Sequence, residues 1–194
     1  MPNPPLILAS GSPYRQQLLR QLGLNFRALA PEVDERPIQG ELPEQTAKRL
    51  AEAKALAVLS QYPEALVIGS DQVADLEGRA LGKPLSVEAA FSQLTACTGK
   101  TVAFHTALTL ASRSTCETEV VTTLVRFRKL SEQQIRAYIK KEAALDCAGS
   151  FKCEGLGISL FESINSSDPT ALIGLPLICL TSLLQRHGIS PLTA

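Results

Sequence analysis

The sequence predicts one α/β domain built on a mixed β-sheet and bilobed around a cleft. Three observations predict it. Short apolar runs alternate with helix-periodic segments through the first half of the chain. Two long β-rich stretches in the middle, joined by the polar residues 112–115, read as an antiparallel hairpin, which makes the sheet mixed rather than parallel. No internal repeat or low-complexity stretch divides the 194 residues. A chain of this length buries about 70% of the surface it exposes when unfolded, enough for one core without staples. Residues 1–194 are therefore read as one domain, with two lobes around the cleft.

The elements follow in order. Leu6–Ala9 is a four-residue apolar run and reads as a buried strand, broken by Gly11 and Pro13. A helix follows over Pro13–Leu22, with Leu18, Leu19 and Leu22 on one face. Phe26–Ala30 is expected as a second strand leading into the acidic loop 31–37. A long Ala-rich helix is expected over Pro43–Ser60, and a buried strand over Leu66–Ile68 ahead of Gly-Ser-Asp-Gln. The hairpin strands are Lys100–Ala111 and Cys116–Arg128. Two more helices are expected over Ser131–Lys141 and Pro176–His187, the last with Pro at its start and Gly188 just beyond its end.

Composition narrows the function classes. Lys+Arg and Asp+Glu both number 19, so bulk charge does not suit a coat on nucleic acid or an anionic membrane. The N-terminal segment carries neither a basic leader nor an apolar stretch long enough for a membrane span, so a cytoplasmic protein is expected. Five cysteines, Cys97, Cys116, Cys147, Cys153 and Cys179, form an odd set without CxxC spacing and are read as reduced thiols.

Several residues stand where chemistry needs them. Ser12 can cap the first helix, Pro13 fits its first turn, and Gly11 lets backbone approach a ligand. The free N–H groups of that helix start, with Arg15 in the same turn, favour an anion, although a capped helix with a surface arginine reads the same way. Lys54 falls inside the apolar stripe Ala47, Leu50, Ala51, Ala57 and Val58, where a lysine must either snorkel outward or meet an anion. Asp71 follows an apolar run, and ligands of open α/β sheets sit beyond the carboxyl ends of strands. Asp is also a common turn former there. Gly82-Lys83-Pro84 presents a second lysine on a constrained loop. Glu32, Asp34 and Glu35 form an acidic cluster that could help hold a hard cation or could be a solvated loop. His105 shows no evident partner, and His187 suits a helix C-terminus. With neither GxSxG nor a P-loop present, the inventory is carboxylates, lysine and arginine. It suits metal-assisted phosphate chemistry better than acyl transfer.

Taken together, the stretches LILASGSPYRQQLL, APEVDE, AEAKA, VIGSDQV, GKPLS, CAGSFKCEGLGISLFE and ALIGLPL resemble the Maf family, in its order and across nearly the whole chain. The resemblance implies a fold similar to the inosine triphosphate pyrophosphatases, a twisted mixed β-sheet with surrounding helices and a central cleft, and hydrolysis of a nucleoside triphosphate to monophosphate and pyrophosphate with Mg²⁺, Mn²⁺ or Co²⁺. By the same resemblance Asp71 is the proton acceptor and a metal contact, Ser10, Arg15, Lys54 and Lys83 cradle phosphates, and Glu32 is a metal-associated carboxylate. Tyr14, Gln72 and Glu154 stand where the pyrimidine-specific branch usually has Arg, Thr and Gln. That pattern resembles the 7-methyl-GTP pyrophosphatase branch instead. A small-molecule nucleotide and a homodimer partner are implied, with neither stable nucleic-acid binding nor membrane association. The competing readings are a pyrophosphatase for another modified or pyrimidine triphosphate, and a nucleotide-binding regulator of septation without turnover.

Overall fold

The structure is a computed structural model that describes residues 4–36, 38–142, 144–145 and 148–193. Its first strand, β1 (Leu6–Ala9), is buried along its whole length. β1 is hydrogen-bonded on both edges by parallel neighbours, β2 (Arg27–Ala28) and β3 (Leu66–Leu76), and helices pack on both of its faces, Leu6 and Leu8 entering one cluster and Ile7 and Ala9 another, so the run is uniformly apolar. Helix α1 (Pro13–Arg20) starts at Ser12, whose hydroxyl accepts from the Arg15 N–H, and it buries Leu18 and Leu19 as expected. The second strand is shorter than predicted, because only residues 27 and 28 pair with β1.

Helix α2 (Pro43–Leu59) has Pro in its first turn, and the Gln45 side chain returns to accept from the Leu42 N–H at 3.0 Å. Its buried stripe is Ala47, Leu50, Ala51, Lys54, Ala55 and Val58. Ala55, not the expected Ala57, completes the face, since the stripe follows the surface it covers rather than a strict i+3/i+4 count.

Strand β3 is the largest departure from expectation. It does not stop at Ile68 but runs antiparallel to β5 (Thr101–Ala111), from Val67 opposite Ala111 to Asp75 opposite Ala103. Gly-Ser-Asp-Gln reads as a turn in isolation, yet the waiting ladder of β5 extends the strand through it. A two-residue hairpin, Glu77–Gly78, with φ of 55° and 84°, then returns the chain into β4 (Arg79–Leu81). Positive φ at both central residues is what a twist-matched tight turn requires.

Helix α3 (Val87–Cys97), capped by Ser86, was not anticipated, although Ala90, Leu94 and Cys97 carry helical spacing. Strands β5 and β6 (Cys116–Phe127) form the predicted hairpin, and β7 (Phe161–Asn165) adds an edge strand that polar alternation had concealed. Helices α4 (Glu132–Glu142) and α5 (Leu177–Arg186) lie within a residue or two of expectation. The sheet order among the described residues is β2-β1-β3-β5-β6-β7, with β4 on β3.

The sheet carries hydrophobic clusters towards both of its ends. At one end, α1 and α5 close over Leu8, Ile68, Leu108 and Leu110, while α2 covers Ile7 and Val67 on the opposite face. At the other end, α3 and α4 pack on Phe104, Val125 and Phe127. There Phe151 meets Phe104, Phe127 and Phe161 edge-on, with ring centroids 4.8–5.9 Å apart.

Gly69 sets the fit of α2 against β3. A Cβ there would stand 2.2 Å from the Ala51 carbonyl oxygen and 2.9 Å from the Ala55 nitrogen and Cβ. Gly69→Ala is therefore expected to push α2 off the sheet, at a cost of about 1–3 kcal/mol in stability. Because Lys54 lies between those two contacts, turnover should fall together with melting temperature. A variant that melts lower but keeps its rate would show that the seating of α2 does not position the site.

Among the described residues no helix is long and apolar enough to cross a membrane. Cys97, Cys116, Cys153 and Cys179 are free thiols, as predicted, and Cys147 lies outside the described residues.

Candidate active site

The site forms because β1 ends before its neighbour does. Ala9 is paired with Gly69, after which β3 continues alone on that side. The chain leaving β1 turns through Ser10-Gly11-Ser12 into α1, and a recess of about 260 Å³ opens there. Asp71 thus stands within β3, two residues beyond the end of β1, rather than past the end of its own strand as expected.

Strand alternation divides the labour. Gly69 and Asp71 face α2, whereas Ser70 and Gln72 face the segment before α5. On the α2 side, Lys54 Nζ donates to Asp71 Oδ1 at 2.6 Å and lies 2.6 Å from Glu35 Oε1. The lysine and aspartate side chains are 10% and 12% exposed and the glutamate 55%, so an inner pair is capped by an outer carboxylate from a loop. The misplaced lysine of the sequence meets an anion, and its partners are two carboxylates.

Arg15 completes the cationic wall. Its Nε donates to the Gly174 carbonyl at 2.8 Å and its Nη1 to Ser10 Oγ at 3.4 Å. Burial lowers its pKa from the ordinary value, opposed by the charges of Asp71 and Glu35. A guanidinium remains protonated regardless. The hydrogen bond from Lys54 holds the Glu35 carboxyl below its usual value, with Lys54, Lys83 and Arg15 adding attraction. That pairing contributes fully above the ordinary glutamate value of about 4.3 and is lost as pH falls through the lowered folded value.

The opposite wall is the loop that leads into α5. Asp168, 2% exposed, accepts from the Thr170 N–H and hydroxyl through Oδ1 and from the N–H groups of Ile178 and Cys179 through Oδ2. It caps α5 from ten residues upstream and ties down the backbone between. Carbonyls of that backbone then receive the site: Gly174 from Arg15 and Ser70, and Ala171 and Leu172 from Gln72. Gly174 has φ 119°, a backbone conformation that favours glycine.

A second recess of about 100 Å³ adjoins Arg15's helix, and Tyr14, Gln72, Cys153 and Glu154 are among its walls. Phe151, locked in its aromatic cluster, holds the 152–154 segment there. The amide nitrogen of Gln72 donates to Thr106 Oγ1 and to the carbonyls of Ala171 and Leu172, which leaves its carbonyl as the atom available to a ligand. The Cys153 thiol, pushed up to about 12 chiefly by burial, donates to one carboxylate oxygen of Glu154 at 3.2 Å.

Of the predicted residues, Ser10, Ser12, Arg15, Lys54 and Lys83 line the first recess, with Asp71 bonded to Lys54. Tyr14, Gln72 and Glu154 line the second. Glu32 is exposed on its loop, whereas Glu35 of the same acidic cluster enters the recess. Nothing in the local sequence separates the two, because the choice depends on where the loop passes Lys54. The histidines do have partners: His105 bonds Thr122 Oγ1 at 3.0 Å and lies 3.3 Å from Asp75 Oδ2, and His187 reaches Glu117 at 3.1 Å. Neither lines the cleft.

Residues 5–187 match the family described as Maf-like protein. A 7-methyl-GTP pyrophosphatase of Xanthomonas oryzae pv. oryzae is 56% identical over 185 residues, covering 95% of this chain and 97% of its own. Proteins of the same name from Methylobacillus flagellatus and Bordetella pertussis are 51% and 50% identical, over 188 and 190 residues. They cover 96% and 98% of this chain, and 98% and 96% of their own. Among solved structures, the Staphylococcus aureus Ham1 protein aligns over 66% of this chain and 72% of its own, with 18% identity and a TM-score of 0.45.

Proposed function

This chain belongs to the Maf-like protein family, and from that premise we propose that it is a metal-dependent pyrophosphatase cleaving 7-methyl-GTP to 7-methyl-GMP and pyrophosphate. One observation carries the reading. A recess walled by Arg15, Lys54 and Lys83 contains Glu35, paired with Lys54, and a second recess, lined by Tyr14 next to Arg15, bears an aromatic ring and a carboxylate. The first suits a triphosphate and the second a cationic base.

The chemistry follows from the donors left over. Asp71 and Glu35 occupy two of the three N–H directions of Lys54, leaving one for a phosphate oxygen. Arg15 spends two of its five donors on Gly174 and Ser10, and the rest are available to the same triphosphate. The α1 N-terminus and the exposed Lys83 add positive potential. A water oxygen bonds the α-phosphorus, the bridging oxygen to the β-phosphorus leaves with pyrophosphate, and Asp71 takes the water proton. Charge developing on the leaving oxygens is met by Lys54, Arg15 and Lys83.

Asp71 and Glu35 are hard oxygen donors that share the Lys54 ammonium, Glu35 lining the recess, which fits a divalent ion held by one or two carboxylates and substrate phosphates. Among the described residues no three His, Cys, Asp or Glu side chains form a metal-binding group, so Asp71 and Glu35 would hold such an ion only together with water and the triphosphate. When bound it would neutralise phosphate charge and polarise the reacting phosphorus.

In the second recess, methylation at N7 makes guanine cationic while its Watson–Crick donors remain. Glu154 accepts from that edge in a charge-assisted bond, the Gln72 carbonyl offers a further acceptor, and Tyr14 stacks on the ring. Stacking on the cationic rather than the neutral base is worth roughly 0.5–2 kcal/mol.

The test is pyrophosphate release from 7-methyl-GTP and GTP, with and without Mg²⁺. The expected result is metal-dependent cleavage with kcat/KM for the methylated nucleotide at least tenfold higher, and Glu154→Gln should erode that ratio. Equal kcat/KM for the two nucleotides would exclude the substrate assignment. Tight binding without pyrophosphate release would instead favour a regulator.

A further inference from the structure

The base recess does not end at Glu154. Cys153, Glu154, Leu172 and Ile173 are walls shared with a second hollow of about 390 Å³, which continues over Ile158, Ile164 and Pro169. Ile158 and Ile164 are 53% and 41% exposed, so water meets two large aliphatic side chains beside a polar recognition site. With its thiol held protonated, Cys153 adds a further apolar surface to the shared wall. The hollow is several times larger than the recess it joins, and a methyl group would leave most of it empty.

The continuity says what reaches it. Under the function proposed above, on which this inference rests, Glu154 accepts from N1–H and the exocyclic N2 amine of the base. A group carried on N2 then projects past Glu154 into the hollow, whereas a group on N7 lies on the opposite, imidazole edge. A single alkyl substituent on N2 leaves one N2–H in place, so the hydrogen bond to Glu154 survives. We infer that the hollow is a subsite for an apolar substituent on the exocyclic amine, and that the substrate class extends to N2-monoalkylated 7-methylguanosine triphosphates.

The experiment compares 7-methyl-GTP, its N2-butyl derivative and 7-butyl-GTP on the unaltered protein and on an Ile158→Asp/Ile164→Asp variant. N2-butyl-7-methyl-GTP is expected to be cleaved with KM lowered on the order of tenfold, as burial of a short alkyl chain predicts. 7-Butyl-GTP should gain nothing. In the variant the N2-butyl advantage should vanish while 7-methyl-GTP is still cleaved as before, which also reports an intact fold. A tenfold poorer kcat/KM for the N2-butyl nucleotide in the unaltered protein, or an advantage that survives in the variant, overturns the inference. Calorimetric binding of 7-methyl-GMP and its N2-butyl derivative separates the two proposals. Preferential binding of the butyl product without turnover supports the subsite while sinking the pyrophosphatase assignment. Sedimentation supplies the last outcome: a dimer of the unaltered protein that the variant abolishes makes the hollow an interface between copies and overturns the subsite.

Discussion

Asp71→Asn is expected to abolish turnover while leaving nucleotide affinity within a few-fold of the unaltered protein. The amide keeps the shape of the carboxylate but cannot accept a proton from water and is a poorer cation ligand. Loss of general-base help alone costs on the order of 10²–10⁴ in rate. The structure adds why the fold should tolerate the change. Lys54 keeps Glu35 as a partner, and the amide oxygen can still accept from the ammonium at the position Oδ1 occupies, 2.6 Å away. Single-turnover kinetics beside equilibrium binding of 7-methyl-GTP checks both halves. Retention of more than a tenth of the rate would remove Asp71 from the reaction.

Lys54→Met is expected to cost as much in rate and to destabilise the protein as well. Viewed on its helix alone, this lysine is an interruption of an apolar stripe, and methionine would be expected to leave the fold intact or steadier. The ion pairs reverse that expectation. Asp71, 12% exposed, would lose its nearest countercharge, and removing one partner of a buried pair leaves the other desolvated and uncompensated. A loss of about 1–3 kcal/mol follows for a charge that keeps some access to the cleft. Glu35 should lose the main cause of its lowered pKa and titrate closer to an ordinary glutamate. Thermal melting and a rate assay on one sample test the pair: an inactive variant that melts higher would contradict the structural half, and an active one the catalytic half.

What was legible in the sequence is what local pattern determines. β1, α1, α2, the long hairpin and α5 follow from apolar runs, helical spacing and breakers, which act over a few residues. That Lys54 and Asp71 need partners was legible because a charge at the end of an apolar run, or inside an apolar stripe, contradicts its surroundings unless something answers it. Tertiary structure decided the rest. β3 runs through Gly-Ser-Asp-Gln because β5 offers it a ladder, and this moves Asp71 from a loop into a strand whose alternation aims it at Lys54. Glu35 rather than Glu32 enters the recess because the loop passes α2 there, a fact no residue in PEVDE encodes by itself. Asp168 lies in the polar run Ser-Ser-Asp-Pro, which no local pattern ties to a site, yet it organises the Gly174 wall by accepting from Ile178 and Cys179, ten and eleven residues downstream. The division has one physical cause. Propensity and periodicity are properties of neighbouring residues, whereas an ion pair or a borrowed helix cap depends on distances that exist only once the sheet has assembled.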